Sequence, residues 1–169
     1  MKRKDIERRA EELLRDHGML DMVVDPVRLA NDAGLRVFNA KFGNDNIHGL
    51  IALRGGQARI YVNADDRPVR KRFTIAHEIG HFVLHLAGGE GRFVDDADNF
   101  RIPVEPDAVW TTERRQEWEA NVFASALLMN ESLVRKMWPQ ISDPEGMARW
   151  FQVSETAMSI RLASLGLEP

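Results

Sequence analysis

The chain contains no cysteine. Disulfides, thiolate metal sites and a cysteine nucleophile are all excluded, and an intracellular setting fits. No apolar run is long enough to cross a bilayer. The basic start Lys2-Arg3-Lys4 meets Asp5, Glu7, Arg8 and Arg9 rather than an apolar stretch, so it does not read as a secretory signal. Neither sign of charge dominates. A net charge of -3 lacks the basic face that nucleic acid usually demands. These absences point to a soluble, cytoplasmic protein with no membrane partner. The remainder is ordinary globular stock, 44% hydrophobic and 29% charged over 169 residues, enough for one core with a small appendage.

Periodicity divides the chain. Ile6, Ala10, Leu13 and Leu14 recur at helical spacing over residues 3 to 17, and Asp25-Pro26 opens a short helix that ends near Gly34. The period then changes. Leu35 and Val37, the run from Ile47 to Leu53, and Ile60-Tyr61-Val62 read as short strands, with Gly55-Gly56 turning a hairpin. The expected sheet is small and mainly antiparallel. From Pro68 to about Leu86 runs a helix apolar nearly all round, as a buried helix is, with Gly88-Gly89 as its stop. Residues 88 to 111 are acidic, proline-interrupted and read as a long loop. A second strong helix spans about Thr112 to Met129, and two short helices flank Val153-Ser154.

The buried helix carries His77-Glu78-Ile79-Gly80-His81, an H-E-x-x-H motif. Four residues rise about 6 Å and turn slightly more than once, so both imidazoles leave one face and can share a metal ion. Glu78 lies about 100° round the helix, beside the first ligand, where it can act as a base without binding the ion. Unpaired imidazoles would be costly in such a helix, which favours the metal reading over simple packing. A catalytic zinc site wants three protein ligands plus water. His85 repeats the spacing, but on a straight helix it lies about 12 Å from His77 along the axis, so it is assigned to packing or to support of a ligand.

The third ligand should come from the helix beginning near Thr112. Glu117 shares a face with Ala120, Asn121, Ala124 and Leu128, and the small alanines would let that helix lie close. This favours Glu117 as ligand and Asn121 as the hydrogen-bond partner of a ligand histidine. Glu119, on the neighbouring face, is the alternative ligand; whichever glutamate is not used is expected to be a surface charge.

Arg72-Phe73-Thr74-Ile75-Ala76-His77-Glu78-Ile79-Gly80-His81 with Leu84-His85, together with Glu117-Trp118-Glu119-Ala120-Asn121-Val122-Phe123-Ala124 and Leu127-Leu128-Met129, closely resembles the ImmA/IrrE metallopeptidases. The strand Ile60-Tyr61-Val62-Asn63 also fits, and the likeness extends over about residues 5 to 130. Asn130 departs from it, since the family commonly has proline there. The resemblance implies an α+β, zincin-like domain of gluzincin type with Glu117 as third ligand. It also implies cleavage or other inactivation of a small helix-turn-helix repressor in stress responses or mobile-element induction.

The expected division is a peptidase domain over 1–135 and a packed helical segment over 136–169. Within the latter, residues 143 to 167 look like a helix-turn-helix unit in which Ser154 caps the second helix and Arg161 is the one base-reading cation. Partner docking is preferred to DNA reading there. The run Arg67, Arg70, Lys71 and Arg72 is assigned to substrate contacts or a solvated first turn. Zinc is the expected ion, with manganese or iron able to occupy the same donors. The substrate is expected to lie along an edge strand at Ile60 to Asn63, with Tyr61 and Asn63 as candidates for contacts to it and Tyr61 and His48 as candidates for a second oxyanion donor. The rivals are a non-proteolytic anti-repressor binding module and a DNA-binding regulator. A complete H-E-x-x-H speaks against both, because a bracing metal has no use for Glu78.

Overall fold

A computed structural model of the chain describes residues 1–44, 46–86, 91–96 and 111–167. The elements are α1 (Arg3–Asp16), α2 (Pro26–Asp32), β1 (Arg36–Ala40), β2 (Ile47–Arg54), β3 (Gln57–Asn63), α3 (Pro68–His81), a π-helical turn (Phe82–Leu86), β4 (Gly91–Asp96), α4 (Thr112–Leu128), α5 (Glu131–Ile141), α6 (Pro144–Phe151) and α7 (Glu155–Ser164). This is the expected α+β architecture. The sheet has the order β1-β3-β2-β4, with β1 parallel to β3 and the other two pairings antiparallel.

Local signals set many of these elements. Asp25 caps α2 by accepting from the backbone N–H groups of Val27 and Arg28 at 3.0 and 3.3 Å. Arg54 pairs with Gln57 across Gly55-Gly56, whose φ angles of 56° and 74° are those of a tight primed turn that only glycine enters freely. Ile51, Ala58, Ile60 and Val62 turn one sheet face to the core, against α3. That face, α3 and α4 enclose the apolar interior, and α1 packs Ile6, Ala10 and Leu14 into it from the α4 side.

Four expectations need correction. The segment after residue 88 is not wholly a loop: Gly91–Asp96 forms β4 on the outer side of β2. The Gly88-Gly89 stop and residues 97–110 lie outside the described residues. Second, β3 is no edge strand. It is bonded to β1 on one side and β2 on the other, so its backbone has no free row of donors and acceptors for an extended substrate. Third, α5 has no counterpart in the sequence reading. It carries Pro139 in its last turn, where the missing N–H forgoes the bond to the Arg135 carbonyl. The fourth concerns cations. Lys71 donates to the Ala64 carbonyl at 2.8 Å and Asn39 Oδ1 at 3.2 Å, and Arg72 to the carbonyls of Val24 at 2.8 Å and Gln152 at 3.1 Å. These two residues staple α3 to its surroundings instead of awaiting a substrate.

The C-terminal helices do form a helix-turn-helix-like pair, and Ser154 Oγ caps α7 by accepting from the Ala157 N–H at 3.1 Å. Arg161, however, is 2% exposed and donates to the Met129 carbonyl at 3.0 Å and to Glu7 at 2.6 Å. The one cation that DNA reading could have used is thus consumed in tying α7 to α1 and the end of α4.

Asn130 also does more than end a helix. Its Oδ1 accepts from the Leu133 N–H and the Ser132 hydroxyl, both at 2.9 Å, and its Nδ2 donates to the Leu20 carbonyl at 2.9 Å. Asn130→Ala removes the α5 cap and leaves buried backbone groups unpaired. It is expected to cost about 1–3 kcal/mol, read as a lower urea midpoint with an unchanged slope.

Candidate metal centre

Two helices build the centre. α3 contributes His77 and His81, one turn apart and both buried, and α4 contributes Glu117, 6% exposed. The close approach depends on small residues. A Cβ added to Gly80 would stand 3.2 Å from Ala120 Cα, Ala120 O and Phe123 Cδ1, so α3 and α4 meet backbone to backbone there. Ala120 and Ala124 are fully buried at this seam.

His77 Nε2 and His81 Nε2 lie 2.9 Å apart. Glu117 Oε2 is 3.2 Å from the first, and Glu117 Oε1 is 3.3 Å from the second. The hydrogen bonds behind each ring set its tautomer. Asn121 Oδ1, 2.9 Å from His77 Nδ1, takes the proton on that nitrogen. His85 Nε2 donates to Glu119 Oε2 at 2.9 Å, so His85 Nδ1 is an acceptor, and His81 Nδ1 donates to it across 3.2 Å. Both inward Nε2 atoms therefore present lone pairs, and Glu117 adds a carboxylate to the same space.

Titration favours the same arrangement. Burial is the main influence on His81 and pushes its pKa down to about 4, although Glu117 beside it pulls the other way. For Glu117, burial pushes up, but the two adjacent imidazoles, when protonated on Nε2 with no ion bound, outweigh it and hold the carboxyl at about 2, the same face that a cation would occupy in place of those protons. An unprotonated His81 beside an ionised Glu117 is what a metal ion requires. Tetrahedral zinc with bonds of about 2.0–2.1 Å holds its ligand atoms about 3.3 Å apart, and the observed spacings of 2.9 to 3.3 Å match. These donors fit a divalent ion by type, protonation and spacing. Among the described residues they are the group able to hold one.

The other candidate residues are not among these three donors. Glu119 engages His85 and the N-terminal amine of Met1, not the two ligand-type imidazoles. It is 6% exposed, which corrects the expectation that the unused glutamate is a surface charge. His85 sits in the π-helical turn and bridges Glu119 to His81, behind the His81 ring. Glu78 is fully buried on the side of α3 that meets β2. Tyr61 alternates with buried Ile60 and Val62 and stacks on Phe38 at 5.5 Å, which puts it on the outward face of the sheet. Asn63 donates to the Ile47 carbonyl at 3.1 Å and accepts from the Asp65 N–H at 3.0 Å. His48 pairs with Asp66 at 2.8 Å. The structure therefore gives Tyr61, Asn63 and His48 places in the sheet and its loops rather than at the centre.

The sequence reading assigns His85 to packing or support of a ligand, but the hydrogen bond from His85 to Glu119 is absent from it. No helix among the described residues is long and apolar enough to cross a membrane.

Comparison with known proteins agrees with the geometry. The model of the IrrE N-terminal-like domain, a peptidase family, matches residues 30–163. The radiation response metalloprotease IrrE of Deinococcus radiodurans is 36% identical over 89 residues, which is 53% of this chain and 24% of that protein. Metallopeptidase ImmA of Bacillus subtilis is 19% identical over 165 residues, covering 96% of this chain and 87% of ImmA. A Mycobacterium tuberculosis transcriptional regulator has a similar fold, with a TM-score of 0.65 at 19% identity, over 94% of this chain and 47% of that one. The chain thus spans about a quarter of IrrE and about half of the mycobacterial regulator. With the family model matching most of its length and the His-His-Glu centre in place, the chain belongs to the ImmA/IrrE family of metallopeptidases.

Proposed function

We propose that the chain is a zinc endopeptidase that inactivates a small helix-turn-helix repressor by cutting it, with His77, His81 and Glu117 holding the ion and Glu78 serving as the base. The observation that carries this reading is the convergence of two imidazole Nε2 atoms and one carboxylate within 3.3 Å of one another, each ring held in the right tautomer from behind. Three protein ligands suit a catalytic site, whereas a bracing site takes four. Manganese or iron could occupy the same donors.

When bound, such an ion polarises the scissile carbonyl and makes a nearby water more acidic. The chain's own groups supply the rest. Glu78 takes a proton as water attacks the carbonyl carbon, then delivers it to the amide nitrogen as the C–N bond breaks. Asn121 and His85 keep the ring protons pointing outward, so the imidazoles do not reorient during turnover. Since β3 is enclosed, the substrate backbone takes the outer side of β4, which among the described residues pairs only with β2. The α6–α7 pair, deprived of Arg161 as a reader of bases, serves partner docking better than DNA binding.

Candidate repressors incubated with the protein and zinc should yield, by mass spectrometry, two fragments whose masses sum to the intact chain plus one water. An intact repressor that nevertheless leaves its operator would replace cleavage with sequestration.

A further inference from the structure

Glu78 has the role of base in the proposed function, and the inference about Gly49 rests on that role. The face of β2 that meets α3 carries Gly49. A Cβ added at that position would stand 2.4 Å from Thr74 Cγ2 and 2.9 Å from Glu78 Oε1. Thr74 and Glu78 are one turn apart on α3, and both are fully buried. Thr74 is fully buried and a helix leaves threonine two χ1 rotamers, so its methyl clears the added carbon only by exchanging places with Oγ1. The carboxylate end of Glu78 is the group able to move. A side chain at 49 would therefore push on the helix at one atom and on the proposed base at the other.

The backbone of β2 is fastened at this point. Ile47 pairs with Asp96 and Gly49 with Asp95, so His48 is the extra residue of a bulge. Bulges bend a strand and re-aim the residues beyond them. This one is pinned from β3 and the turn after it: Asn63 Nδ2 donates to the Ile47 carbonyl at 3.1 Å, and His48 Nδ1 meets Asp66 Oδ2 at 2.8 Å. On its other side Gly49 keeps register with Val62. Asn63, which the sequence offered as a substrate contact, and His48, which it offered as an oxyanion donor, thus hold the strand that bears Gly49.

We propose that Gly49 is a positioning residue for Glu78: the pinned bulge presses a backbone without a side chain against Thr74 and Glu78, and the closeness fixes the direction of the Glu78 carboxylate. The three ligand residues are untouched by this contact.

The test compares wild type, Gly49→Ala, Gly49→Ala with Thr74→Ser, and Glu78→Gln, each loaded with Co2+ as the probe. Metal stoichiometry, thermal midpoint and the visible cobalt spectrum are read for each. Serine at 74 removes Cγ2 and so relieves the 2.4 Å clash while leaving Glu78 in the way. All four proteins are expected to bind one cobalt. Gly49→Ala should lower the midpoint by about 3–10 °C, from the usual cost of overpacking in a chain of this size. The double variant should recover at least half of that loss yet keep the altered cobalt spectrum of Glu78→Gln, because the open coordination position still lacks a correctly placed carboxylate. Recovery of both midpoint and wild-type spectrum in the double variant would reduce Gly49 to packing and overturn the proposal, as would a wild-type spectrum in Gly49→Ala. A Glu78→Gln spectrum identical to wild type, or absence of cobalt binding in wild type, would instead overturn the assignment of the centre and of Glu78, and this inference with it.

Discussion

Glu78→Gln is expected to leave the metal bound and to slow the proposed repressor cleavage by about 10²–10⁴-fold, the usual worth of a positioned proton acceptor. Glutamine keeps the shape of the side chain and loses the charge. The substitution sits in a fully buried position between α3 and β2, so the neutral residue should not loosen the fold. His77, His81 and Glu117 are unchanged, and elemental analysis should still find one ion per chain. The rate is best measured in a single turnover with protein in excess, so that product release does not mask the chemistry. A cleavage rate equal to wild type would remove Glu78 from the mechanism. A protein that lost its ion would show that Glu78 supports the centre itself.

The two glutamates of α4 should separate cleanly. Glu117→Ala deletes a proposed ligand and should abolish stoichiometric metal at micromolar concentration. Two imidazoles would remain, without the carboxylate held at about 2 that balances the ion's charge. Glu119→Ala deletes a group that touches no ion. It should nevertheless weaken metal binding by about 10–100-fold, the usual effect of removing a partner that orients a ligand. The reason lies in the proton order. Without Glu119 the His85 Nε2 proton loses that acceptor, and a proton on His85 Nδ1 would face the one on His81 Nδ1 across 3.2 Å. Competition against a chelator measures both constants. Equal and complete loss in the two variants would make Glu119 a ligand after all; no effect of Glu119→Ala would show that His85 holds its tautomer unaided.

What the sequence revealed was local. His77, Glu78 and His81 could be read because helical geometry alone brings i and i+4 together. Asp25, Ser154 and Gly55-Gly56 act within three residues of themselves, and each did what its type predicts. Glu117 was reached through small neighbours that permit close packing, a weaker argument that the Gly80–Ala120 contact supports. The remainder depended on distant partners. Strand alternation shows which face of β3 is buried but not that β1 and β2 lie on its two sides, so the substrate was assigned to an enclosed strand. β4 offers only Phe93 and Val94 among glycine and charges, too little to stand out from a loop. Arg161 looked like a surface cation because nothing within its own helix announces that Glu7, 154 positions earlier, is waiting for it. Gly49 carries no mark at all until Glu78 is seen beside it.

The seam at Gly80 has a consequence for how such sequences can diverge. Any Cβ at position 80 requires Ala120 or Phe123 to yield by a few tenths of an ångström. Ala120 lies one turn beyond Glu117, so α4 would carry the carboxylate away with it. The interior x of the motif is therefore dictated by the neighbouring helix rather than by the metal. Because two of the atoms in the way are Ala120's own backbone, glycine at 120 would not make room, and position 80 should hold to glycine while Ile79, next along the same helix, answers only to the apolar interior.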